Sequence, residues 1–106
     1  MRVVVIDGKE HPYLFGLQAM AIYERMTGES FGAGVNTTST LAAHFSCLVA
    51  GDVNFPLSFE QFVRAVDNKQ TFDALAEALR EEVERWSSVS AVPSEAGGSK
   101  KKKKVK

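Results

Sequence analysis

A chain of 106 residues and 11.6 kDa has material for one hydrophobic core and not for two. Its 44% apolar and 25% charged residues are the balance of a soluble globular protein rather than a disordered one. The net charge of zero hides a division: up to Val92 there are 7 Lys/Arg against 12 Asp/Glu, a net of −5, whereas from Pro93 onward six Lys face Glu95 alone, a net of +5. The expected organisation is an acidic folded domain over 1–87 and a disordered, basic Ser/Gly/Lys-rich tail over 88–106. No apolar run approaches the roughly 20 residues of a membrane span. The opening Met-Arg-Val-Val-Val-Ile is too short an apolar segment for a signal peptide and lacks a small-residue cleavage site. A single cysteine, Cys47, rules out an intramolecular disulfide and fits a reducing cytoplasm.

Arg2 to Ile6 is a β-branched run followed at once by Asp7-Gly8, a pair suited to a type I′ turn because both central residues need positive φ. Lys9 to Leu14 reads as the return strand, with Pro12 placing it on an edge or stopping it early. A two-stranded hairpin is marginal alone, so one face, read as Val3 and Val5 with Tyr13, is expected to lie on helices. Gly16 to Thr27 reads as the first helix, with Leu17, Met20, Ala21 and Glu24 in one row, Ile22 and Met26 in a second, and Gly28 as the left-handed stop. Glu29 to Asn36 is a loop. The second helix is expected to start near Thr37 to Ser39 under a hydroxyl cap, carry Leu41, Phe45, Leu48 and Val49, and end at Gly51-Asp52.

Ser58-Phe59-Glu60-Gln61 is a capping box with Leu57 and Phe62 in the staple positions, opening a helix to about Asp67 along Phe59, Phe62, Val63 and Val66. The last helix is expected from Asn68–Thr71 to near Trp86, on the stripe Phe72, Leu75, Leu79, Val83 and Trp86. Beyond it, the Ser- and Gly-rich stretch lacks the apolar surface to offset chain entropy, and disorder is expected from about Ser88. The fold class is thus α+β, mainly α: an N-terminal β-hairpin packed on about four helices, with a disordered basic C-terminal tail.

The residues that carry reactive chemistry are few. His44 and Cys47 lie three apart on a helix, but zinc needs three or four ligands and Asp52 falls past the helix end. A half-buried helix face with a small apolar thiol accounts for them, and no metal or cofactor is expected. His11 has no evident partner. A nucleophilic pair also needs an orienting group and an oxyanion site, which the sequence does not mark, so the chain reads as non-catalytic. Gly32-Ala33-Gly34 lacks the Gly-Lys-Ser/Thr ending of a phosphate loop and reads as a flexible connection. Glu81, Glu82 and Glu84 read as a solvated acidic face, able to offset the chain's own lysines weakly.

Lys100, Lys101, Lys102, Lys103, Lys104 and Lys106 admit three readings: sequence-independent contact with nucleic acid phosphates, a basic import signal if the host cell has a nucleus, or a solvated end. The run has no interleaved aromatics on which bases could stack.

The segment Ile6-Asp7-Gly8-Lys9-Glu10-His11-Pro12-Tyr13-Leu14-Phe15-Gly16-Leu17, followed by Ala19 to Gly28, resembles the start of the tail assembly chaperones of long-tailed bacteriophages and prophages. Gly8, Lys9, Phe15, Gly16, Leu17, Tyr23, Glu24, Thr27 and Gly28 carry the likeness. The helix with Leu41 to Ala50 and the opening Pro56-Leu57-Ser58-Phe59-Glu60 extend it, over about the first two-thirds of the chain. The resemblance implies a non-catalytic assembly factor in the cytoplasm of the bacterial host. It would bind the tape-measure protein, help bring tail-tube subunits to it, and be absent from the mature virion. It also implies a longer product made by a programmed ribosomal frameshift near the end of the gene, where Lys100 to Lys104 fall. Phe15, Leu17, Tyr23, Phe31 and Phe55, near predicted element ends, are the expected partner-binding residues, and self-association through the same surfaces is a further expectation. The alternative is a small helical adaptor whose basic tail binds nucleic acid or another polyanion.

Overall fold

The computed structural model describes residues 2–34 and 36–91, with side chains as far as residue 88. Six elements follow in chain order: β1 (Arg2–Ile6), β2 (Lys9–Tyr13), α1 (Leu17–Thr27), α2 (Thr37–Gly51), α3 (Phe59–Ala65) and α4 (Lys69–Ala91). The architecture is the expected one, a two-stranded antiparallel hairpin on four helices.

Asp7 and Gly8 take φ of 52° and 77°, so the hairpin closes through the two left-handed residues of a type I′ turn. That turn fixes the register: Ile6 faces Lys9, Val4 faces His11 and Arg2 faces Tyr13. Opposed residues share a face, so Val4, Ile6, His11 and Tyr13 point into the protein. Val3 and Val5, expected inside with Tyr13, are instead 52% and 51% exposed. With a two-residue turn, even positions of β1 side with odd positions of β2, and the expected grouping mixed the two parities. Pairs alternate between bonded and non-bonded outward from the turn. Pro12, opposite Val3, therefore occupies a non-bonded position where its missing N–H costs the ladder nothing.

On α1 two apolar rows compete, and the row with Ala19, Ile22 and Tyr23 turns inward, against α2. The other row is largely left outside, with Leu17 72% exposed and Met20 only partly buried. Gly28 stops the helix with φ 77°, its N–H donating to the Glu24 carbonyl at 2.8 Å. The cap of α2 is Asn36, whose Oδ1 accepts the Ser39 N–H at 2.8 Å, rather than a hydroxyl of Thr37 to Ser39. Gly51 closes α2 beside β2, where a Cβ would stand 2.5 Å from the Pro12 carbonyl oxygen. The capping box of α3 forms as read: Ser58 Oγ accepts from Gln61 N–H, and Gln61 Oε1 accepts from Ser58 N–H. Asn68 Oδ1 accepts the Thr71 N–H at the start of α4.

α4 runs past the expected stop near Trp86, through the expected onset of disorder at Ser88, and reaches Ala91. No Gly or Pro intervenes between Lys69 and Ala91, and lengthening a formed helix needs no new nucleus. The tail lysines, Lys100 to Lys104 and Lys106, lie outside the described residues.

The main core gathers Val4, Ile6, Tyr13, Phe15, Ala19, Ile22, Cys47, Leu48, Phe62, Val66, Leu75 and Ala78. It draws on every element. A ring of aromatics flanks it, with Phe45 edge-on to Phe55 and Phe59 at centroid distances of 5.8 and 5.5 Å.

Candidate partner-binding surface

Buried polar side chains form two knots. In the first, Tyr13 Oη and His44 Nδ1 share a buried hydrogen bond of 2.7 Å, its direction set by the imidazole tautomer. Burial lowers His44 to a pKa of about 4 and pushes the neighbouring Cys47 thiol up to about 12. Burial, with Cys47 alongside, likewise raises the Tyr13 hydroxyl. At pH 7 all three are uncharged and none meets solvent, so the cluster packs and satisfies itself. His44 and Cys47 are thus fully buried rather than half-buried. Among the described residues no group of three or more His, Cys, Asp or Glu is placed to hold a metal ion. His11 does have a partner: its ring lies edge-on to Phe55 at 5.0 Å.

The second knot is built on Glu82. It falls on the stripe Leu75, Ala78, Glu82, and is only 2% exposed, so the acidic face read as Glu81, Glu82 and Glu84 loses its middle member to the interior. Glu82 Oε1 accepts the Phe15 N–H at 3.1 Å and the Arg85 guanidinium at 3.1 Å, and Arg85 also donates to the Phe15 carbonyl at 3.1 Å. Burial pushes the Glu82 carboxyl up, but the Arg85 pair and the Phe15 N–H outweigh it and hold it below the usual carboxylate range. One ion pair on α4 thereby fixes both polar groups of the residue that leads from β2 into α1. Glu81 faces out and meets Arg2 at 2.8 Å, and Arg80 bridges Glu77 and Glu84.

The five expected partner-binding residues do not form one surface. Leu17 stands exposed, but Phe15 and Tyr23 are buried, contrary to the partial exposure expected at element ends. Half-buried Phe31 holds them there, with ring centroids 5.1 Å from each, while Trp86 covers Phe15 from α4 at 5.7 Å. Half-buried Phe55 belongs to a different cluster, with His11, Phe45 and Phe62.

The surface that is open lies elsewhere. Leu41 of α2, Val63 and Val66 around the end of α3, and Phe72 of α4 line a groove of about 600 Å³. Asp67, Lys69 and Asp73 stand at its rim, with Lys69 bound to Asp73 at 3.0 Å. Phe72, read as a buried stripe residue, is 36% exposed here. It sits in the first turn of α4, and its ring meets the His44 ring at right angles with centroids 5.8 Å apart. Position within the helix was the signal for Phe72, and a charged residue on an apolar stripe was the signal for Glu82.

Comparison with protein-family models, with curated proteins and with solved structures finds no match. Among the described residues no helix is long and apolar enough to cross a membrane.

Proposed function

We propose that the chain is a tail assembly chaperone of a long-tailed bacteriophage or prophage, non-catalytic, and at work in the cytoplasm of the bacterial host before the virion is complete. The observation that carries this reading is the groove of Leu41, Val63, Val66 and Phe72, an apolar trough rimmed by Asp67 and Asp73. A helix presents its apolar face as side chains at i, i+3, i+4 and i+7, and the trough offers about 600 Å³ to receive them. A tape-measure protein is long and helical, with apolar faces that need cover until tube subunits enclose it. Many weak contacts of this kind, one per chaperone copy, add up along such a client and still release. The hairpin and first helix that resemble this family support the same reading, and the lysine run is where a frameshift to a longer, tube-recruiting form is proposed.

The test is co-expression with the tape-measure gene. The expected result is a soluble complex that Phe72→Asp disrupts while the isolated variant keeps its helical circular dichroism. A tape-measure protein left insoluble, or a complex indifferent to Phe72→Asp, overturns the reading. Tight DNA binding that disappears on deleting residues 100–106 favours the polyanion adaptor instead.

A further inference from the structure

In the β1 register, Arg2, Val4 and Ile6 spend their backbone groups on β2, so the N–H and C=O of Val3 and Val5 point away from the hairpin. No hydrogen bond reaches those four groups from any described residue. The matching edge of β2 is treated differently. There Pro12 has no N–H to offer, and the Leu14 N–H is taken by the Cys47 carbonyl at 3.0 Å. The β1 edge thus keeps two outward donors, the Val3 and Val5 N–H, where β2 keeps that of Glu10 alone, and an open edge invites pairing.

Beside the open edge runs a groove of about 520 Å³, separate from the apolar trough described above. Its walls are β1 from Arg2 to Val5 with the Asp7-Gly8 turn on one side, and Gln70, Thr71, Ala74, Glu77 and Ala78 of α4 on the other. The α4 wall offers two alanines and no bulky apolar side chain, which leaves width for a backbone. It also closes the far side, so the space suits a single strand and not the edge of a second sheet with its own helices. Of the two charges at the ends of β1, Arg2 is bound to Glu81, whereas Asp7 has no ion-pair partner among the described residues. Among the charged lining residues Arg2 and Glu77 are paired and Asp7 is not, with Lys9 standing just outside the groove across the turn.

We propose that this groove is a strand-addition site, which takes an extended segment of a partner polypeptide between β1 and α4. Val3 and Val5 supply the main-chain bonds, alternate side chains of the incoming strand rest on Ala74 and Ala78, and a Lys or Arg of that strand meets Asp7. Main-chain bonding of this type gives affinity, and the flanking wall gives selectivity.

The test uses the full chain, labelled with ¹⁵N, and a capped hexapeptide alternating β-branched residues between terminal lysines (Lys-Val-Thr-Val-Thr-Lys). The control is the same peptide with N-methyl groups on both valines. The expected result is progressive movement of the Val3 and Val5 amide signals with the first peptide and none with the control. Val5→Pro removes the outward N–H without touching a β1–β2 bond, and is expected to weaken binding at least about tenfold. Ala74→Trp, which fills the groove from α4 and leaves the hairpin intact, is expected to do the same if the proline disturbs folding. Shifts that centre on Phe72 or Leu17, equal shifts with the N-methylated peptide, or no shift at about 5 mM peptide overturn the proposal. Loss of the tape-measure complex in Phe72→Asp, with peptide binding unchanged, separates this site from the trough of the proposed function.

Discussion

Three buried residues set how the protein responds to acid and to substitution. His44 is held neutral with a pKa of about 4, whereas an unfolded chain binds its proton near 6.5. Between those values the unfolded state takes up the proton and the folded state does not, so stability falls as the pH drops from 6.5 to 4, by about 3 kcal/mol. Denaturant melts across that window read the loss, and His44→Gln is expected to flatten it. Glu82 is depressed below its ordinary value, so its contribution is present above the ordinary carboxylate range and drains away as the pH falls further, a second step below that of His44. Glu82→Ala is expected to cost about 3 kcal/mol at pH 7, the low end for breaking a buried pair because Arg85 is partly solvated. Tyr23 works in the opposite sense. Its hydroxyl is buried with no hydrogen-bond partner among the described residues, so Tyr23→Phe is expected to stabilise by about 1 kcal/mol, read as a higher denaturant midpoint. None of these environments was visible in composition. The stripe read from the sequence, Phe72, Leu75, Leu79, Val83 and Trp86, left Glu82 on a solvated face, and only its three- and four-residue steps from the buried Leu75 and Ala78 mark it as interior.

At the scale of elements, local chemistry was legible and the choice between faces was not. Asp7-Gly8, Gly28 and the Ser58–Gln61 box each act within four residues, and each does in the structure what its residue types dictate. The inward face of β1 was decided by register, which the turn length already fixed at parity. The inward face of α1 was decided by α2, across a sequence distance that no local pattern encodes. Gly51 belongs to the same class. Nothing around it in the sequence marks the Pro12 carbonyl as its neighbour, yet a methyl group there would overlap that backbone oxygen. Gly51→Ala is expected to destabilise by about 2 kcal/mol through the shift it forces between α2 and β2, against a gain near 1 kcal/mol in an unconstrained helix. Chemical denaturation of the two proteins decides between those signs.

For the molecule as a whole, helix count and hairpin followed from periodicity, while the open surface did not. The expected binding aromatics were chosen for lying near element ends, but an end that abuts another element is interior. Phe15 and Tyr23 pack against Phe31, with Trp86 also over Phe15, whereas Phe72 in the first turn of α4 faces the open groove. Residue type alone could not separate these cases, since all three are large aromatic side chains.

The passage from hairpin to first helix is tied down by two helices at successive residues: Leu14 by a carbonyl of α2, Phe15 by the carboxylate and guanidinium of α4. A connection fastened on both sides has no independent way to open. In native-state hydrogen exchange the Leu14 and Phe15 amides should therefore release their protons only with global unfolding, in step with the centre of α2, although they sit in an irregular stretch of chain. The seam between strand and helix, ordinarily the first place a small domain breathes, is here among the last to let go.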